Sequence, residues 1–143
     1  MSSSKKKVLI ICIIAVVVIG VGLTLFFTLT SDKSRIVGTW VDKRTYSYNN
    51  STSISTYEFF RNGTGTSSWD SICNKTNEIL DFTLSRIRWE IKNNKLIITG
   101  FSENGDSNTF VYDYILLDDL DNRLIISREV SGYGVISSTY IKQ

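Results

Sequence analysis

The sequence predicts an all-β fold: an antiparallel up-and-down meander of about eight strands, preceded by one transmembrane α-helix. Three observations carry that prediction. Beyond residue 32, Ile, Val, Thr, Tyr, Phe and Trp dominate and Ala is absent, a composition that suits pleated, half-buried surfaces. Short apolar runs recur there at close spacing, with turn residues between them. Before them, residues 8–30 contain no charge at all.

The amino terminus comes first. Residues 1–7 end in Lys5-Lys6-Lys7, and the run VLIICIIAVVVIGVGLTLFFTL follows. As a helix rising about 1.5 Å per residue, it would span roughly 33 Å, enough for a hydrocarbon core of about 30 Å. A retained anchor over 8–30 is favoured over a cleaved signal peptide. The best small-residue site follows Gly20, but Val18 stands where Ala is wanted, and cleavage would leave LTLFFTLT as the new terminus. A lipoprotein reading at Cys12 fails on Ile10-Ile11 before it. The three lysines hold residues 1–7 in the cytoplasm by the positive-inside rule. The expectation is therefore a single-pass protein of the cell membrane, N-terminus cytoplasmic, with a linker over 31–35 and a domain over 36–143 outside.

Strands are expected near 36–42, 54–61, 64–70, 80–92, 95–101, 108–117, 123–130 and 135–142. Asn62-Gly63 suits a type I′ hairpin turn and Asn93-Asn94 a weaker one. Asn104-Gly105, Asp121-Asn122 and Gly132-Tyr133-Gly134 mark later reversals. Within 80–92, Phe82 and Leu84 share one parity while Ile87, Trp89 and Ile91 share the other, which points to a bulge near Ser85-Arg86. Tight turns favour pairing of sequence neighbours. A Pro count of zero removes one device for blocking edges, which favours closure into a barrel.

Gly38-Thr39-Trp40 resembles the Gly-x-Trp signature that opens the first strand of lipocalins. The hairpin Tyr57 to Thr66, the hairpin Trp89 to Ile98 and the strand Asn122 to Ser127 are similar to the series in small microbial lipocalin-like domains. Together they cover roughly residues 36–130. The resemblance implies a lipocalin-like barrel whose end is closed by the signature Trp, here Trp40, with an Arg from a late strand packed over it, for which Arg128 is the candidate. The usual lipocalin disulfides and long entrance loop are missing.

Candidate sites divide between binding and structure. Trp40, Trp69 and Trp89 can line a ligand cavity or fill the core. Tyr46 and Tyr48, beside Asn49-Asn50, form either a recognition patch or an ordinary polar loop. Cys73 stands alone in the domain, and Cys12 reads as a small apolar residue. Sequons occur at Asn49, Asn50, Asn62 and Asn74; Asn49, Asn50 and Asn74 are candidate N-glycosylation sites, while Asn62, in a tight turn, is a poor acceptor. Asp118-Asp119 with Asp121 lacks the glycine-bearing loop of a calcium motif and reads as a solvated turn.

Zero His removes the commonest general base and metal ligand, so no enzyme, metal or cofactor is expected. Three of the sixteen basic residues precede the anchor, leaving the domain near −1, too balanced for nucleic acid. The expected function is binding of a small apolar or amphiphilic ligand inside the barrel. The alternative is an envelope protein–protein interaction module with a fully packed barrel.

Overall fold

The computed structural model describes residues 13–23, 31–118 and 122–143. The chain divides into two compact units, one ending at Arg35 and one running Ile36–Gln143. In the first, residues 13–23 are helical with exposed side chains, and a one-turn helix, Asp32–Ile36, occupies most of the expected linker. Among the described residues no helix is long and apolar enough to cross a membrane. The rest of the expected span, 8–12 and 24–30, and the basic tail before it lie outside the described residues.

The second unit is an eight-stranded antiparallel barrel with every strand beside its sequence neighbours. The strands are β1 (Gly38–Tyr46), β2 (Ser51–Phe59), β3 (Thr64–Cys73), β4 (Ile79–Lys92), β5 (Lys95–Phe101), β6 (Ser107–Leu117), β7 (Arg123–Val130) and β8 (Gly134–Lys142). β8 returns to β1 and closes the barrel. The expected meander is thus the observed one, with three local corrections.

β1 and β2 run further than expected, so most of KRTYSYNNSTS is a paired hairpin, from Lys43↔Ile54 to Tyr46↔Ser51. Its residues are polar yet paired, and Ser51 and Thr52 are buried with their hydroxyls donated to Asn49 and Asn74; polarity alone makes the segment resemble a loop. At Asn62-Gly63 only the glycine has positive φ, 83°. The Gly63 amide bonds to the Phe60 carbonyl at 3.0 Å and the Phe60 amide to the Thr64 carbonyl at 2.8 Å; the connection is a longer bulged turn, not type I′. The turn with both central residues at positive φ is Asn93-Asn94, at 51° and 56°, as type I′ requires.

The third correction concerns β4. Its irregularity lies opposite Ser71/Ile72, where Leu80 is skipped in the pairing, and the strand continues through Ser85-Arg86. Phe82 and Leu84 keep the same outward face as Arg86 and Arg88. The change in pattern is in what each face meets.

Directly opposed residues share a face, so the registers trace the inner wall from buried Trp40. The core collects at the end where β1 begins: Trp40, Phe59, Ile87, Trp89, Leu96, Ile98, Leu124, Ile126 and Tyr140 are buried there, with Ile36 beneath. Gly65 is needed in that wall, because a Cβ on it would sit 2.1 Å from the Glu58 carbonyl oxygen.

Candidate functional site

At the opposite end the barrel opens along three seams. β1 meets β8 only at Trp40↔Lys142 and Val41↔Ile141. β4 meets β5 only from Arg86↔Phe101 downward, and β6 meets β7 only over Asp113–Leu117. The other ladders run on to the rim. The rim therefore separates into a four-stranded sheet, β1–β4, and two hairpins, β5–β6 and β7–β8.

Alternation carries polar groups onto the inner wall of this split end. β2 contributes Ser51, Ser53 and Ser55; β3 contributes Ser67, Trp69 and Ser71; β4 contributes Thr83 and Ser85. Trp69 is 41% exposed, and its indole N–H donates to Ser53 Oγ at 2.7 Å. On β1, Arg44 pairs with Asp42 at 2.7 Å. The same guanidinium donates to Ser138 Oγ on β8 at 2.8 Å and bridges a seam that the backbone leaves open. The hydrogen bond to Asp42 raises the Arg44 pKa above its ordinary value.

Between the polar mouth and the apolar floor lies a layer of phenols. Tyr57 stacks on Phe59 at 5.5 Å and tilts against Tyr140 at 5.3 Å. The Tyr140 hydroxyl lies 3.2 Å from Ser55 Oγ. Burial pushes both phenols above their usual pKa, and for Tyr57 the neighbouring Tyr112 and Tyr140 add to it. The inner surface thus grades from hydroxyl and guanidinium through tyrosine to Trp, Phe and Leu.

Trp40 is 2% exposed and donates its indole N–H to the Ile36 carbonyl at 2.7 Å. The cation above its ring is not Arg128. Lys142 Nζ lies 5.2 Å from the Trp40 ring centroid, because β8 ends opposite β1 at that rung. Gly38 leaves room for it: a Cβ there would lie 2.8 Å from Lys142 Cε. Arg128 sits nearer the mouth on β7, its guanidinium 4.5 Å over Phe110 and 5.9 Å over Tyr112. Among the described residues it forms no ion pair with a carboxylate, so it brings a second positive charge to the mouth beside the neutralised Arg44.

The remaining candidates are dispersed. Trp89 is core, its indole N–H shared between the Phe60 and Thr64 carbonyls at 3.1 and 3.0 Å. Tyr46 ends β1 and Tyr48 lies in the following turn, their rings edge to face at 5.8 Å. Cys73 is a free thiol at the end of β3, held below its ordinary pKa by hydrogen bonds from Thr76 and Lys75; Cys12 lies outside the described residues. All four sequon asparagines occupy connections. Asn49 accepts from the Ser51 hydroxyl at 2.8 Å, Asn74 from the Thr52 hydroxyl at 2.7 Å, and Asn62 from Thr64, while Asn50 holds positive φ. Of the acidic cluster, Asp119 and Asp121 lie outside the described residues. Among those described, no group of three acids, Cys or His is placed to hold a metal.

Composition and periodicity do not single out the Ser/Thr band. A hydroxyl at alternate positions of three successive strands was its only signal, and in a chain rich in Ser it reads as solvated face until the register shows which side is inside. A separate depression of about 830 Å³ lies on the outer wall, between Phe60, Leu84, Arg86, Arg88 and Phe101. Comparison with known proteins gives no match: no family model, curated protein or solved structure is similar to this chain.

Proposed function

We propose that this chain is a membrane-anchored, extracytoplasmic lipocalin-like module that binds a small amphiphilic molecule at the split end of its barrel. The observation that carries the reading is the graded inner wall. An amphiphile can lay its apolar part against the Tyr57, Tyr112 and Phe110 rings and keep its polar head among the hydroxyls, Arg44 and Arg128. A purely apolar ligand would strand those polar groups without partners, at about 1–3 kcal/mol each. The barrel floor is already filled by the protein's own side chains, so the ligand is small. The apolar run over 8–30 supplies the anchor and Lys5–Lys7 its orientation.

Native mass spectrometry tests the ligand. The full chain is expressed in membranes with a protease site at residues 31–35, and the folded barrel is released without detergent. A discrete added mass that disappears on denaturation is expected, and its chemistry names the ligand class. A bare barrel that also fails to take up added medium-chain fatty acid or alcohol would overturn the reading. It would leave the alternative of an interaction module. The anchor has its own test: the protein should resist alkaline carbonate extraction and retain residues 8–30 in its intact mass.

A further inference from the structure

The upper part of β4 is a free sheet edge. β4 pairs with β3 from Ile79 to Arg88 but with β5 only from Arg86 onward. Residues Ile79 to Ser85 therefore present one side of their main chain to no neighbouring strand among those described. On the outer face of this stretch, Leu80, Phe82 and Leu84 are 59%, 57% and 59% exposed. The edge is bulged at Leu80 and regular from Asp81 to Ser85, and such an exposed edge with apolar side chains is a template for another strand. No Pro, Lys or Arg interrupts it. Its protections are the bulge at Leu80 and Asp81, whose carboxylate accepts the Phe82 amide at 2.8 Å.

We infer that this edge pairs antiparallel with the same edge of a second copy, with the two-fold axis at Phe82. Full overlap of the two free segments fixes that register, since Phe82 is their midpoint. Leu80 then faces the second copy's Leu84 on both sides of the axis, and Phe82 faces its own counterpart, joining the exposed apolar patches. Asp81 faces Thr83, so no like charges meet. Just beyond the overlap, Glu78 of one copy lies level with Arg86 of the other. Moving the axis to Asp81 would oppose two carboxylates. A one-residue slip would set the outer face of one copy against the inner face of the other. The two-fold axis at Phe82 satisfies the apolar pairs, the charges and the alternation together. It is an isologous contact, which closes at two copies and does not propagate. Asp81 must release the Phe82 amide for pairing, so it acts as a brake on the association.

Cysteine cross-linking in native membranes tests both the contact and its register. In a full-length background carrying Cys12→Ser and Cys73→Ser, Phe82→Cys is treated with a short bifunctional thiol reagent. Several-fold more covalent dimer is expected than from Val111→Cys, an equally exposed site on the outer face of β6. Leu80→Cys and Leu84→Cys should each cross-link weakly alone and strongly when the two chains are co-expressed. Asp81→Asn should raise the Phe82→Cys yield. Yields from Phe82→Cys no higher than from Val111→Cys would overturn the interface. Strong self-linking of Leu80→Cys would overturn the register. Leu80, Asp81, Phe82, Leu84 and Val111 all carry exposed side chains, and for each variant a protease-resistance profile like the parent's confirms folding.

Discussion

The two ends of the barrel are built from the same eight strands with the same alternation, yet one is a core and the other a cleft. At the closed end every ladder is complete and the inner positions hold Trp40, Phe59, Trp89, Leu96 and Leu124. At the split end three ladders stop short, and the same inward register delivers serines, Thr83, Asp42 and two arginines. Strand pairing alone therefore does not hold a small barrel shut. It closes where the enclosed side chains gain by leaving water, at roughly 25 cal/mol per Å² of apolar surface. It parts where the enclosed groups are better left wet.

The sharpest way to break the comparison is to empty the closed end. Trp40→Ala removes a buried indole together with its bond to the Ile36 carbonyl and the ring under Lys142. Deletions of large buried aromatics cost about 3–5 kcal/mol, so the denaturation midpoint should fall steeply. A loss under about 1 kcal/mol would mean that the floor is not the stabilising half.

Next in size is the effect of alkali on the phenol layer between the ends. Burial raises the pKa of Tyr57 and Tyr140 above their value in the unfolded chain. Each phenol is then neutral in the folded state when its unfolded counterpart has begun to ionise. The unfolded state binds fewer protons above about pH 10, so stability is whole below that pH and falls above it. The slope is at most about 1.4 kcal/mol per pH unit for each group. Equilibrium denaturation from pH 8 to 11.5 should show the decline, and Tyr57→Phe should reduce it. An unchanged slope in both Tyr57→Phe and Tyr140→Phe would show that these rings are wet and belong to the cleft.

How much was legible beforehand follows the same division. The strands of the closed end could be read because apolar alternation marks an inner face wherever that face is packed: Ile87, Trp89 and Ile91 on β4, or Leu96 and Ile98 on β5. Trp40 of the Gly-x-Trp segment is buried. The split end was misread where its inner face is polar. Residues 43–53 resemble a loop, and on β4 the change of apolar parity between Leu84 and Ile87 imitates a bulge at Ser85-Arg86, whereas the pairing breaks at Leu80. The cation over Trp40 was also misassigned, since Lys142 arrives through the closure of β8 on β1, a contact spanning the whole domain that no local motif encodes.

The finest contrast lies among the three tryptophans themselves. Trp40 and Trp89 are buried with their indole N–H groups on backbone carbonyls, whereas Trp69 is exposed at the mouth and bonds only a serine hydroxyl. Removing Trp69 leaves no cavity in a packed core and no buried carbonyl without a donor. Trp69→Ala should therefore shift stability by less than about 1 kcal/mol, within the range of surface changes. Under the proposed function it should nevertheless weaken binding of an amphiphile, because it removes an exposed indole from the polar rim. Trp69→Phe should restore part of that binding, since stacking area returns without the indole N–H. Titration of both variants with a medium-chain fatty acid, set beside their thermal midpoints, separates the two effects. If Trp69→Ala lowers stability as much as Trp40→Ala does, the mouth is a second core, and the distinction between the ends fails.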